Sequence, residues 1–259
     1  MPNRCCVVGH PVTHSLSPAM HMAGYQALDL DFTYEKVDPH VSGLDRFIKD
    51  VRSGFYVGVS VTVPYKQAIM EYVNVLSPAA KACDAVNTLY FDGGSLVGEN
   101  TDWYGFYMAL DEVVNLDRKT VLIFGAGGAA RACLFALRDS GAKVYLTNRT
   151  VEKGEQLASE FGVEFVQPCD LPAVDVFVNA TSIGLHEEDF LFVPEDWLAQ
   201  VKVVFDLVYT DTILERTARE LGCKIVSGKK MLLYQGAKQF QLFTGEEPPI
   251  EVMAAAIGL

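Results

Sequence analysis

Val121-Leu122-Ile123-Phe124-Gly125-Ala126-Gly127-Gly128-Ala129-Ala130 decides the fold of this 259-residue chain. Four consecutive apolar residues run straight into a glycine-rich turn, and residues 129–137 then carry the small and apolar side chains of a helix packed on a sheet. A strand, a Gly-x-Gly-x-x-Ala turn and a helix, in that order, form the phosphate-cradling element of a dinucleotide-binding fold. Gly125 permits the tight turn, Gly127 lets a pyrophosphate approach the backbone, and Ala130 lets helix and strand pack closely; Ala126, Gly128 and Ala129 line the same turn. The helix N-terminus faces the phosphates with unpaired N–H groups.

The next apolar run, residues 143–147, ends in Asn148-Arg149-Thr150, with Lys153 one turn on. An enzyme selecting NAD would carry Asp or Glu there to accept the ribose hydroxyls. Arg149 can instead pair a 2′-phosphate as a planar fork, Lys153 adds a point charge, and Thr150 offers a hydroxyl and a helix N-cap. The cofactor expected is NADP(H).

Further out, apolar runs at residues 5–8, 32–37, 56–61, 120–124, 175–179 and 203–207 alternate with helix-period segments. Strands separated by helical crossovers imply an α/β fold with parallel sheets. Ser17-Pro18 and Ser77-Pro78 each put a capping hydroxyl before a proline at the first helical position, and Pro64 opens a helix that carries Lys66 in its first turn. Asp92-Gly93-Gly94-Ser95 joins strands at 86–91 and 96–98 as a hairpin, which delivers Asn100-Thr101-Asp102 at a strand end ahead of a helix over 104–114. The polar stretch 115–119 precedes a fresh strand, so the domain change falls near residues 100–118. Past Gly228 the apolar spacing predicts one long helix, and a second follows Pro248-Pro249. Two helices beyond the last strand of a dinucleotide domain need another surface to bury against. The expected organisation is an N-terminal α/β substrate domain (1–101, completed by 230–259), a Rossmann-type NADP-binding domain (102–229), and a cleft between them.

Half the residues are hydrophobic and 21% are charged, a globular balance with no run of 18 apolar residues to span a bilayer. The N-terminal segment reads as a first strand rather than a signal, so a soluble, cytoplasmic protein is expected. A net charge of −12 repels nucleic acid and anionic membranes, leaving any anionic ligand to be met by local donors. The six cysteines show no Cys-x-x-Cys spacing and read as reduced thiols. His14 and His21 lack the i, i+4 spacing of a helical zinc pair, and no metal is expected.

In the first half Ser15, Ser17, Thr62, Lys66, Asn87 and Asp102 supply short-reach donors and acceptors. Singly, each has a structural reading: Ser17 as a helix cap, Asn87 as a strand-end amide, Asp102 as an N-cap, Lys66 as a solvated charge. Together, an ammonium and a carboxylate converging on a sugar-like ring can shuttle a hydroxyl proton while a dinucleotide exchanges hydride with the carbon.

In chain order the motifs are His14-Ser15-x-Ser17-Pro18, Val61-Thr62-x-Pro64-x-Lys66, Ala85-Val86-Asn87-Thr88 and Asn100-Thr101-Asp102. Gly125-Ala126-Gly127-Gly128-Ala129, Asn148-Arg149-Thr150, Ala180-Thr181-Ser182 and Met231-Leu232-x-x-Gln235 follow. In these the chain resembles the shikimate dehydrogenase family over nearly its whole length. The resemblance implies a two-lobed oxidoreductase that reduces 3-dehydroshikimate to shikimate with NADPH, in aromatic amino-acid biosynthesis. It implies Ser15 and Ser17 at the substrate carboxylate with help from Thr62 and Tyr209, and Lys66, Asn87, Asp102 and Gln235 at the ring hydroxyls. Lys66 and Asp102 would be catalytic as a pair. On the cofactor side it implies Gly127, Gly128 and Ala129 at the pyrophosphate, and Asn148, Arg149, Thr150 and Lys153 at the adenosine phosphate. Thr181, Leu207, Gly228 and Met231 would lie nearer the ribose and nicotinamide.

Three positions depart from the family pattern: Ser60 for a customary Asn, Thr210-Asp211 for Asn-Pro after Tyr209, and Lys230 for a Gly before Met231. The alternatives are a quinate/shikimate dehydrogenase of the same family, against which Ser17 and the Arg149/Lys153 pair argue, and a non-enzymatic sensor that keeps the pocket without the chemistry. The chain is expected to be a monomer or homodimer.

Overall fold

The computed structural model describes residues 2–39, 43–184 and 193–259. The chain forms two compact units, Met1–Gly105 with Leu233–Leu259, and Phe106–Leu232.

The first unit runs β1 (Asn3–Val8), α1 (Ser17–Ala27), β2 (Phe32–Val37), α2 (Leu44–Arg52), β3 (Gly58–Val61) and α3 (Tyr65–Ala68), which tightens into a 3-10 turn (Ile69–Tyr72). After it come β4 (Val75–Leu76), α4 (Pro78–Cys83), β5 (Thr88–Asp92) and β6 (Ser95–Glu99). The six strands form one sheet in the order β2-β1-β3-β5-β6-β4. β1 pairs in parallel with β2 and with β3, so Cys5, Cys6 and Val8 are wholly buried, as the unbroken apolar run requires. The sheet is mixed rather than parallel throughout: β5 is antiparallel to both β3 and β6, because the Gly93-Gly94 hairpin reverses the chain there. In α2 Leu44, Phe47, Ile48 and Val51 recur at helical spacing and pack with Val8, Val59, Val61, Leu89 and Leu96 in one core. Each such side chain contributes about 1.5–3 kcal/mol on burial.

α5 (Asp102–Asp111) follows, and then the strands and helices of the second unit: β7 (Thr120–Phe124), α6 (Gly128–Leu137), β8 (Lys143–Thr147), α7 (Val151–Phe161), β9 (Glu164–Phe165), β10 (Val176–Asn179), α8 (Glu195–Leu198), β11 (Val203–Asp206), α9 (Ile213–Glu220) and β12 (Lys224–Ser227). All pair in parallel, in the order β12-β11-β10-β7-β8-β9. This is the doubly wound dinucleotide-binding order, with the reversal between β7 and β10, where such sheets open a crevice at their carboxyl ends.

α10 (Gly228–Thr244) and α11 (Ile250–Ala255) end the chain. From Leu233 onward they complete the first unit, with Phe240 and Met253 wholly buried. Gly24 of α1 permits this approach, since a Cβ there would lie 2.8 Å from the Phe240 ring and 3.3 Å from Met253. The discontinuous first unit is thus the answer to where two late helices bury their apolar faces.

Candidate functional site

β3 ends at Val61, and the turn through Thr62 and Pro64 leads into α3, which carries Lys66. Two backbone hydrogen bonds lock this turn to the next segment: Val86 N–H donates to the Lys66 carbonyl at 2.8 Å and Val61 N–H to the Asn87 carbonyl at 2.7 Å. Asn87 N–H in turn donates to the Glu99 carbonyl at 3.0 Å, so Asn87 is clamped between the ends of β3 and β6. Beyond β6, Asn100 folds its side-chain oxygen back to accept from Asp102 N–H at 3.0 Å, which starts α5 with the Asp102 carboxylate turned toward this clamp.

The result is a compact polar constellation. Lys66 Nζ donates to Asp102 Oδ2 at 2.7 Å, and Asn87 Nδ2 donates to Asp102 Oδ1 at 2.8 Å. Asn87 Oδ1 accepts from Thr101 N–H at 2.8 Å, and Gln235 Oε1 lies 3.4 Å from both Asn87 Nδ2 and Thr101 Oγ1. The ammonium side chain is 32% exposed and the carboxylate 16%, so the pair reaches solvent on the lysine side while Asn87, Thr101 and Gln235 are buried beneath it. Four expected residues from sequence positions 66 to 235 therefore meet at one point.

Ser15 and Ser17 lie after β1, and Thr62 after β3, at the same edge of two paired strands, with Thr62 N–H donating to the Val8 carbonyl at 2.9 Å. Ser15 Oγ accepts from Ser17 N–H at 3.3 Å. Ser17 is not the helix cap: Leu16 occupies that position, and Ser17 is already helical and buried with its hydroxyl capping nothing. Ser77 does cap α4, accepting from Ala80 N–H at 3.0 Å. Tyr209 belongs to the second unit and is 54% exposed.

In the second unit Gly125 adopts a φ of 128°, with the Ala180 carbonyl 2.8 Å from where a Cβ would stand, so only glycine fits the turn. Gly127 caps α6 with no side-chain hydrogen bond, and a Cβ at Gly127 or Gly128 would meet nothing within 4 Å. The first N–H groups of a ten-residue helix thus face open space, which fits a pyrophosphate. Past β8, Asn148 Nδ2 donates to the Thr150 carbonyl at 2.7 Å, and Arg149, Thr150 and Lys153 are exposed. Thr150 occupies the N-cap of α7, though its hydroxyl makes no capping bond.

At the carboxyl ends of β10 and β11, Asn179 and Asp206 fasten the following loops. Asn179 Oδ1 accepts from the Thr181 hydroxyl at 2.7 Å, and Asp206 accepts from Asn179 Nδ2 at 2.9 Å, Val208 N–H at 3.1 Å and the Thr212 hydroxyl at 2.6 Å. Asp206 is wholly buried, which raises its pKa. Gly228 begins α10 so close to the Leu207 carbonyl that a Cβ would fall 2.4 Å from it. Thr181, Leu207 and Gly228 are therefore grouped at one sheet edge, with half-buried Met231 on the first turn of α10. Lys230 pairs with Glu112. Among the described residues no group of three His, Cys, Asp or Glu could hold a metal ion, and no helix is long and apolar enough to cross a membrane.

The family model of the shikimate dehydrogenase substrate binding domain matches residues 7–89, that of shikimate / quinate 5-dehydrogenase residues 107–185, and that of the shikimate 5′-dehydrogenase C-terminal domain residues 230–257. The shikimate dehydrogenase (NADP(+)) of Methanothermobacter thermautotrophicus is 38% identical over 267 residues, covering 97% of this chain and 94% of that protein. The chain belongs to the shikimate dehydrogenase family. Among solved structures it is similar to shikimate 5-dehydrogenase from Thermus thermophilus in complex with NADP(H) and shikimate, with a TM-score of 0.92, 38% identity and 98% of each chain covered. It is also similar to a ligand-free 5-ketofructose reductase from Gluconobacter, at a TM-score of 0.91 and 29% identity, covering 99% of this chain and 98% of that one.

Thr101, quoted above only as part of its motif, holds the Asn87 amide, and Ser60, noted above only as a departure from the family pattern, bonds Gln239 behind it. Gln239 stands four residues after Gln235 on α10, hence on the same helix face, a spacing that could have exposed it.

Proposed function

We propose that this chain catalyses the reversible NADPH-dependent reduction of 3-dehydroshikimate to shikimate, with the first unit binding substrate and the second binding the dinucleotide. The observation that carries the reading is the 2.7 Å Lys66–Asp102 pair set on the buried Asn87, Thr101 and Gln235 amides and hydroxyl. Neutral hydroxyls of Ser15, Ser17 and Thr62 take the substrate carboxylate, which leaves Lys66 for the reacting oxygen. Asn87, Asp102 and Gln235 orient the ring hydroxyls.

The reduced cofactor, when bound, supplies the hydride that reduces the ketone carbon. Lys66 Nζ donates a proton to the oxygen as negative charge develops there, so that ketone, hydride and proton become the alcohol. Asp102 Oδ2 accepts from the ammonium and holds it in place; giving up its proton leaves Lys66 a neutral amine, which regains a proton from water on its exposed side before the next turnover. In the reverse direction Lys66 and Asp102 together take the hydroxyl proton. Gly125, Ala126, Gly127, Gly128 and Ala129 carry the pyrophosphate; Asn148, Arg149, Thr150 and Lys153 carry the adenosine phosphate; and Thr181, Leu207, Gly228 and Met231 line the ribose and nicotinamide. Six free cysteines and the need for reduced cofactor support a cytoplasmic site of action.

The test is absorbance at the reduced-nicotinamide wavelength with purified protein at alkaline pH, running shikimate and quinate each with NADP and NAD. The reading requires turnover with shikimate and NADP above the other three combinations. Preference for quinate with NAD would replace it with the quinate reading, and shikimate binding without absorbance change would make the chain a sensor.

A further inference from the structure

Behind Asn87 runs a chain of buried side chains that the chemistry above does not use. Tyr34 on β2, Ser60 on β3, Gln239 on α10 and Thr88 on β5 are each less than a tenth exposed and come from four separate elements of the first unit. The Tyr34 phenol donates to Ser60 Oγ at 2.6 Å, and the Ser60 hydroxyl donates to Gln239 Oε1 at 2.6 Å. Gln239 Nε2 donates to the Asn87 carbonyl at 3.0 Å and to Thr88 Oγ1 at 2.9 Å, and the Thr88 hydroxyl donates to Asn87 Oδ1 at 2.7 Å.

The polarity of this chain runs one way. A phenol and a hydroxyl each have a single proton, so once Tyr34 gives its proton to Ser60, the Ser60 proton is directed at Gln239. That bond fixes which end of the Gln239 amide is the oxygen, and Nε2 must then face the strand. Asn87 Oδ1, filled by Thr88 and by Thr101 N–H, cannot turn outward, so Asn87 Nδ2 is aimed at Asp102 Oδ1. A reversed Asn87 amide would set a carbonyl oxygen against the carboxylate and a donor against two donors. His21, wholly buried and stacked on the Tyr34 ring with centroids 4.4 Å apart, holds the phenol at the head of the chain. Burial lowers the His21 pKa to about 3, so no charge disturbs the series at neutral pH.

We propose that Tyr34, Ser60 and Gln239 are positioning residues for the reaction: they act through Asn87 to hold Asp102, and with it Lys66, in the arrangement that passes the proton. The proposal rests on the shikimate dehydrogenase reading. Interactions in such series strengthen one another, so removing a link weakens the ones that follow.

The experiment measures kcat and KM for 3-dehydroshikimate and NADPH in the intact chain and in Ser60→Ala, Ser60→Thr, Tyr34→Phe, Asn87→Ala and Asn87→Ala/Ser60→Ala. Ser60→Ala is expected to lower kcat about tenfold with KM for NADPH unchanged, Ser60→Thr to restore most of it, and Tyr34→Phe to lower kcat about threefold. In the Asn87→Ala background, Ser60→Ala should cost less than twofold more, because the path it acts through is already gone. Losses that multiply in the double variant, a Ser60→Thr protein no better than Ser60→Ala, or kcat within twofold of normal in Ser60→Ala would each overturn the proposal. If Ser60→Ala does not fold, Tyr34→Phe in the two backgrounds decides alone. Wild-type protein that turns over nothing removes the functional reading and the proposal with it; active wild type with an indifferent Ser60→Ala removes the proposal alone.

Discussion

Replacing Asp102 by asparagine keeps the shape of the side chain and removes its charge. In the structure one carboxylate oxygen meets Lys66 Nζ at 2.7 Å and the other meets Asn87 Nδ2 at 2.8 Å. The new amide can place only one oxygen: if it faces Asn87, its NH₂ opposes the ammonium, and if it faces Lys66, its NH₂ opposes the Asn87 donor. Either way one donor–donor contact replaces a bond. At the observed 2.7 Å the bare attraction is about 6 kcal/mol for an effective dielectric of ~20 and about 1.5 kcal/mol in water. The ammonium is 32% exposed, so the net loss belongs near the range of a hydrogen bond to a charged group, about 1.5–3 kcal/mol. If that loss falls wholly on the transition state, kcat drops about 10- to 10²-fold. The assay is steady-state reduction of 3-dehydroshikimate by Asp102→Asn, Lys66→Ala and the double variant. A pair that acts as a unit predicts a double variant no slower than Lys66→Ala. Losses that multiply would show two independent contributions and refute the joint assignment.

Arg149→Ala should raise KM for NADPH about tenfold or more and leave KM for NADH within twofold, since only the former loses a phosphate pair; equal losses would mean that the exposed Arg149 does not read the phosphate. Glu215 is buried, with Oε1 lacking a hydrogen-bond partner, and desolvation, then the nearby Asp206, raises its pKa to about 7. The neutral form is the one the folded state tolerates, so its stability is full below about pH 4.5 and is lost as pH rises through about 7. Glu215→Gln should therefore match wild type in unfolding free energy from denaturant titration at pH 4.5 and exceed it by about 1–2 kcal/mol at pH 8; a difference that does not change with pH would contradict this. Phe240→Ala, at a wholly buried position packed on Gly24, should cost about 3–5 kcal/mol in urea unfolding. A loss below 1 kcal/mol would mean that α10 is not integral to the first unit.

In the Rossmann-type unit β7 was legible because a parallel strand buried on both faces is written as a nearly unbroken apolar run, and residues 120–124 coincide with it; β8 at 143–147, and β2 of the first unit at 32–37, were found with the same bounds from shorter apolar stretches, although both keep exposed polar residues. β4 and β9, two residues each, leave no periodicity to read, and β12 shows only one buried residue at the sheet edge. The mixed first sheet was announced by the hairpin, but alternating strands and helices pointed to a wholly parallel one, and pairing of β3 with β5 is a long-range choice that local pattern does not record. Ser17 read as a cap from Ser-Pro alone; the helix begins one residue earlier, where no side chain serves. At the site, motif order carried Lys66, Asn87, Asp102 and Gln235 to one place. What it could not carry was the layer behind them. Ser60 stood out only as a departure from the family pattern, and its meaning depends on Tyr34 and Gln239, respectively 26 and 179 residues away in sequence.

The central claim is that Lys66 passes the proton as hydride arrives at the ketone. Single-turnover and steady-state reduction by Lys66→Ala tests it most directly, with Lys66→Arg as a charged control that cannot give up its proton near neutral pH. The account predicts that both lose at least about 10²-fold in kcat while KM for 3-dehydroshikimate changes far less. Turnover within a few-fold of wild type in Lys66→Ala would contradict it.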